Sequence, residues 1–215
     1  ATDPENPSDR LSEREIRDEL ITFLLAGHET TSNTLTWALY LLSQNPEAER
    51  ALLAEVDREL QGRLPGPADL ERLTYTDQVV KEAMRLYPPA YLLARRAARD
   101  TTIGPYRVPR GSEVLVWTYF THRDARYYPE PEAFRPERFT PEAEASRPRQ
   151  AYLPFGAGPR ACIGRAFAQT EATLVLACLA QRFTFRYPGA KPPRPRPRIT
   201  LGPAGGLRMS VHARR

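Results

Sequence analysis

The chain has 215 residues, a formal charge of +5 and 41% hydrophobic residues. That is enough for the core of one domain, and the excess charge is too small to argue for a nucleic-acid partner. No apolar run reaches membrane-spanning length, and two cysteines, Cys162 and Cys178, make no disulfide framework, which points to a soluble protein of a reducing compartment, the cytoplasm.

Residues 1–10 carry Pro4 and Pro7 and read as a linker, leaving 11–215 as the folded unit. Ser12 with Glu15 forms a capping box, and Leu11 with Ile16 a hydrophobic staple. Apolar or small residues then recur at helical spacing from Ile16 to Leu42, which predicts a helix of roughly thirty residues, about 45 Å long. Ile21, Leu25 and Leu39 lie off that stripe, so burial on several sides is expected. At its centre stand Ala26, Gly27, His28, Glu29, Thr30, Thr31, Ser32 and Asn33. Glycine inside a helix costs about 1 kcal/mol, and threonine hydroxyls compete for backbone carbonyls. Two readings follow: a kink packed on a neighbouring helix, or a widened turn that holds a small ligand between an acid and an alcohol.

Asn45-Pro46 opens a second helix that Gly62 should end. Residues 64–67 read as a turn and 68–73 as a short helix. Thr74 with Asp77 is expected to cap a further helix, stopped at Tyr87 by Pro88-Pro89. Within it Glu82 and Arg85 stand at i, i+3, which by spacing alone is an ordinary surface pair. From there the period shifts towards two, predicting strands at 93–98, 106–108 and 113–117. Arg95 and Arg96 fall on opposite faces of the first. His122 has no ligating partner at useful spacing and reads as a structural histidine. A proline-dense run from Pro129 to Pro159 predicts an irregular meander whose backbone needs partners, which arginines of the segment can supply.

Phe155 to Gly164 reads Phe-Gly-Ala-Gly-Pro-Arg-Ala-Cys-Ile-Gly. Two glycines at spacing two demand a tight bulged turn. From Ile163 a helical face of Ile163, Phe167, Leu174 and Cys178 runs on to about Arg182. Cys162 therefore sits where a glycine loop feeds a helix N-terminus, beside Arg160. Amides and the helix dipole there favour a thiolate, which suits a soft metal ligand. Beyond Arg182 come a proline- and arginine-rich connector at 192–198 and strands at 199–201 and 207–212.

The ten-residue string resembles the haem-ligand loop of the cytochrome P450 family, FGxGxRxCxG, with Phe155, Gly156, Gly158, Arg160, Cys162 and Gly164 at every fixed position. Ala26, Gly27, Glu29 and Thr30 resemble that family's distal oxygen-binding motif, and Glu82 with Arg85 its ExxR pair. In the family that pair is buried and joined by a later arginine, which here matches Arg138 in Phe134-Arg135-Pro136-Glu137-Arg138-Phe139. The resemblance implies a mainly α fold with small β-sheets (α+β). It also implies that the chain is the C-terminal half of a single domain, opening on the long oxygen-binding helix; an N-terminal anchor would lie in the other half.

Further implications are haem b ligated by Cys162, with Phe155, Gly156, Arg160, Ala26 and Gly27 about it and Arg95 on a propionate, Arg96 being the alternative. Thr30 and Glu29 would deliver protons. Electrons would come from a redox protein, a ferredoxin or flavoprotein reductase. One atom of dioxygen would enter an apolar small molecule, with no nucleic acid involved. Two alternatives remain: a peroxide-driven hydroxylase, which would not need Glu29 and Thr30, and a truncated, non-catalytic haem-binding fragment.

Overall fold

A computed structural model describes residues 10–214, so the expected linker lies outside it except for Arg10. Helix α1 is Glu13–Gln44, 32 residues, or about 48 Å at 1.5 Å per residue. Its capping box is formed: Glu15 Oε2 accepts from the Ser12 amide at 2.8 Å, and Ser12 Oγ accepts from the Glu15 amide. Helix α2 is Pro46–Leu60 and α3 is Thr74–Leu86. Then follow β1 (Leu93–Arg96), β2 (Thr101–Ile103), β3 (Tyr106–Val108), β4 (Glu113–Val116), α4 (Thr118–Thr121) and α5 (Pro141–Ala145). Helix α6 (Arg165–Arg182) leads to β5 (Phe183–Arg186), β6 (Pro195–Pro197), β7 (Leu201–Pro203) and β8 (Ser210–Ala213). The strands form antiparallel pairs β1–β4, β2–β3, β5–β8 and β6–β7. This is a helical protein with small sheets, as the sequence predicts; β2, β5 and β6 are additions to that reading.

The core lies where α1, α2, α3 and α6 meet. Trp37, Leu41, Leu52, Val56, Val79, Ala83 and Leu176 are buried there, and Trp37 stacks on Tyr87 with centroids 3.8 Å apart. Burying each of the leucine and valine side chains contributes about 1.5–3 kcal/mol.

Four local expectations are corrected. Helix α1 is buried only from Thr31 onward, whereas Leu20, Ile21, Phe23, Leu24 and Leu25 are 47–70% exposed; no described element covers that half. Gln61, in the left-handed conformation at φ 50°, ends α2 one residue before Gly62. Thr74 and Asp77 do not cap α3. Glu55 of α2 does, accepting the amides of Tyr75 and Thr76 at 2.7 and 2.8 Å and the hydroxyls of Thr74 and Thr76. Finally, α6 begins at Arg165 and buries Ala172, Thr173, Leu176, Ala177 and Ala180, leaving Ile163 and Phe167 89% and 72% exposed.

Candidate active site

The cysteine loop is held by its own backbone. Gly156 and Gly158 adopt φ of 69° and 72°, which only glycine takes without strain. Their turns let the Cys162 amide donate to the Phe155 carbonyl at 2.8 Å, closing the loop. A single 3-10 turn, Gly158–Arg160, lies inside it, and Gly164 precedes α6. Cys162 is a free, exposed thiol. A Cβ at Gly164 would stand 3.8 Å from its Sγ, so the backbone at Gly164 passes close to the sulfur.

On α1 the helix runs without interruption through Gly27 and Asn33. The Thr30 hydroxyl donates to the Ala26 carbonyl at 2.8 Å, the local bond that a threonine makes inside a helix. A Cβ at Gly27 would meet nothing within 4 Å, so among the described residues no neighbouring helix packs there. Of the two sequence readings, the packed kink is not what this helix shows; the widened turn is absent as well. Glu29 is exposed, and its Oε1 accepts from the Thr200 hydroxyl at 2.7 Å.

The described residues hold no group of three or more His, Cys, Asp or Glu able to bind a metal ion. A bare ion at Cys162 would thus have too few protein ligands, whereas an iron porphyrin brings its own nitrogens. The rest of the donor set fits such a group. Arg160 is exposed, and its side chain makes no hydrogen bond or ion pair among the described residues. Arg95, on β1 opposite Val114, makes only a bond to the neighbouring Ala94 carbonyl. Both guanidiniums are free to meet carboxylates, and Arg96, paired with Glu113 in the strand register, is exposed too. Phe155 is half-buried against the core at the base of the loop.

Glu82 and Arg85 are fully buried. Arg85 bonds both Glu82 oxygens, at 2.7 and 2.8 Å, and its remaining donors go to the carbonyls of His122, Pro131 and Ala133. Arg138 Nε lies 3.5 Å from Glu82 Oε1, an ion-pair distance without hydrogen-bond geometry; its Nη2 donates to the carbonyls of Pro129 and Glu130. Burial pushes the Glu82 carboxyl up, and the Arg85 bonds and charge pull against it. The three expected residues therefore come together, and their guanidiniums tie down the irregular segment.

His122 sits in the same region, fully buried. Its Nε2 accepts the Leu153 amide at 2.8 Å. Burial first, and the Arg85 charge second, lower its pKa to about 3, so the ring is neutral. Its acceptor role fixes the strand of chain that leads into the cysteine loop two residues before Phe155.

Sequence reasoning did not find Thr200. It accepts from Asn33 Nδ2 at 2.9 Å while donating to Glu29, and Trp37 Nε1 donates to the Leu201 carbonyl at 3.1 Å. Glu29, Asn33 and Trp37 stand at i, i+4 and i+8, a polar edge on α1 that the spacing does contain; nothing in the sequence names Thr200 as its partner.

A family model described as Cytochrome P450 matches residues 2–207. The chain is 49% identical over 200 residues to cyclooctatin synthase of Streptomyces melanosporofaciens, covering 93% of this chain and 43% of that protein. It is 46% identical over 177 residues to cytochrome P450 4V2 of Mus musculus, covering 81% and 34%. Cyclooctat-9-en-7-ol 5-monooxygenase of Streptomyces melanosporofaciens is 40% identical over 176 residues, covering 82% and 38%. The chain thus spans well under half the length of these relatives.

Proposed function

Since this chain belongs to the cytochrome P450 family, we propose that it carries the haem-binding and proton-delivering part of a monooxygenase that uses dioxygen to hydroxylate an apolar organic molecule. The observation that carries this reading is Cys162: a free, exposed thiol on a closed glycine loop. Cys162 would ligate the iron of haem b, with Arg160 and Arg95 meeting its propionates and Phe155, Gly156, Ala26 and Gly27 lining its site. When bound, a haem supplies one-electron and oxygen chemistry, and a thiolate ligand pushes electron density that favours O–O cleavage.

The chain's own contribution is positioning and proton supply. Thr30 places a hydroxyl one helical turn from Ala26, anchored on that carbonyl through its own hydrogen. Its oxygen lone pairs remain available to hold a water, and a rotation of the side chain would free the O–H to donate. Glu29, exposed beside it, would exchange protons with solvent. A one-electron donor protein, a ferredoxin or a flavoprotein reductase, would supply the electrons. A relative whose name gives an alkenol substrate, cyclooctat-9-en-7-ol 5-monooxygenase, supports an apolar substrate class.

The test is the carbon monoxide spectrum of the reduced, haem-loaded protein. A strongly red-shifted Soret band is expected in the wild type and should vanish in Cys162→Ala, with most helical signal retained. A Cys162→Ala protein with the wild-type spectrum would remove Cys162 from the ligand position and turn attention to Cys178.

A further inference from the structure

The β6–β7 hairpin is moored along one edge of α1, and the mooring begins at the acid. Trp37 Nε1 donates to the Leu201 carbonyl, Asn33 Nδ2 to Thr200 Oγ1, and Thr200 Oγ1 to Glu29 Oε1, at 3.1, 2.9 and 2.7 Å. The approach is close: a Cβ at Gly202 would lie 3.0 Å from Asn33 Oδ1, so glycine is what lets the strand reach the helix. Two further bonds fix the hairpin from the other side, Leu201 N–H to the Pro89 carbonyl at 3.1 Å and Tyr91 O–H to the Arg198 carbonyl at 2.8 Å. Thr200 itself is almost wholly buried.

These bonds have a direction. The Asn33 amide group can only donate from Nδ2, so Thr200 Oγ1 accepts there and has its single hydrogen left for Glu29. Glu29 must therefore present an acceptor oxygen to the hairpin. Its second oxygen, Oε2, has no protein partner among the described residues. Glu29 also lines a cleft of about 430 Å³, together with Asn33, Thr36, Arg196 and Arg198, polar and large enough for several waters.

We propose that Thr200 is a positioning residue for Glu29: its hydroxyl, oriented by Asn33, holds one carboxylate oxygen against the β6–β7 hairpin so that the other exchanges protons with solvent in the cleft. The inference rests on the proton-delivery role proposed above for Glu29. Without the Thr200 hydroxyl, the glutamate has several rotamers open to it on an exposed helix face, and it is found in the delivering one only part of the time.

The test uses Thr200→Val, which keeps the shape and removes the hydroxyl, and Thr200→Ser, which keeps the hydroxyl, each with and without Glu29→Gln, in the haem-loaded protein. Two quantities are read: hydrogen peroxide released per electron consumed, and thermal midpoint. Thr200→Val is expected to raise peroxide release several-fold and Thr200→Ser to restore it. In the Glu29→Gln background Thr200→Val should add nothing further, because both act through one carboxylate. The melting shifts of Thr200→Val and Glu29→Ala, which removes the acceptor oxygen that glutamine would keep, should be non-additive by about 2–4 °C.

If Glu29→Gln raises peroxide release and Thr200→Val does not, the positioning role is overturned and proton delivery by Glu29 stands. If Glu29→Gln leaves peroxide release unchanged, proton delivery by Glu29 fails, and the melting cycle decides the positioning claim. Additive melting shifts overturn it; coupled shifts sustain it.

Discussion

Thr30 faces a choice between a local bond and a functional one. Thr30 donates its hydrogen to Ala26 in the helix, yet its place beside Glu29 suits a hydroxyl that holds water or donates outward. Thr30→Ala removes that hydroxyl while adding a good helix former, so folding and haem binding should be unchanged. Product formed per electron should fall by about tenfold or more, because bulk water replaces only part of the roughly 10²-fold that a positioned proton donor supplies. Stoichiometry of electrons, peroxide and product measures it, and unchanged coupling would leave Thr30 as a helix residue only. His122 presents the opposite case, a ring kept neutral by its surroundings. Unfolded, it binds a proton near pH 6.5; folded, only near pH 3. The unfolded chain therefore holds the extra proton between those values, and stability is lost as pH falls through them, by up to about 1.4 kcal/mol per unit. Glutamine at 122 can accept the Leu153 amide but cannot titrate. Urea midpoints between pH 6.5 and 5 should fall more steeply in the wild type than in His122→Gln.

The start of α3 shows how an element can depend on a residue far from it in sequence. Helix N-termini leave amides without partners, and the capping candidates nearby, Thr74 and Asp77, do not serve them. Glu55, one helix earlier and 4% exposed, takes two amides and two hydroxyls with its two oxygens. One carboxylate thus caps α3 and fastens it to α2. Glu55→Ala should cost about 2–3 kcal/mol, combining a lost cap with bonds to a charged acceptor. Glu55→Gln, which keeps one acceptor oxygen, should cost less. Denaturant midpoints compare the two, and equal losses would show that packing rather than hydrogen bonding sets the contribution.

Over the whole molecule, the segment between α4 and α6 has little regular structure, and a few charged side chains stand in for it. Arg85 supplies donors to three of its carbonyls, Arg138 to two, and Arg147 to the carbonyl of Arg138. Glu82 balances Arg85 and Arg138 and also accepts the Arg135 amide at 2.9 Å. Removing one partner from such a buried set leaves a charge without compensation, at a cost of about 3–5 kcal/mol. Glu82→Ala and Arg85→Ala should each give that loss, along with loss of soluble haem-loaded protein. The double variant should be far less unstable than the sum. Near-normal melting and full haem content in Glu82→Ala would show the cluster to be dispensable.

Much of this was legible from the residues alone. The long period of α1, its capping box, the proline stops and the glycine turn before Cys162 are set by local sterics and spacing, which need no partner from elsewhere in the chain. Motif strings likewise brought Cys162, Arg160, Glu29, Thr30, Glu82, Arg85 and Arg138 into view. What spacing could not supply is which side chain answers which orphaned group across long separations. Glu55 reaches α3, His122 reaches Leu153, and Thr200 reaches Glu29 over 171 positions. Nor could it supply the exposure of Leu20 to Leu25 or of Phe167. An apolar stripe says only that a face is able to be buried; whether anything lies against it is decided by tertiary packing, and here the first half of α1 meets no described element of its own chain.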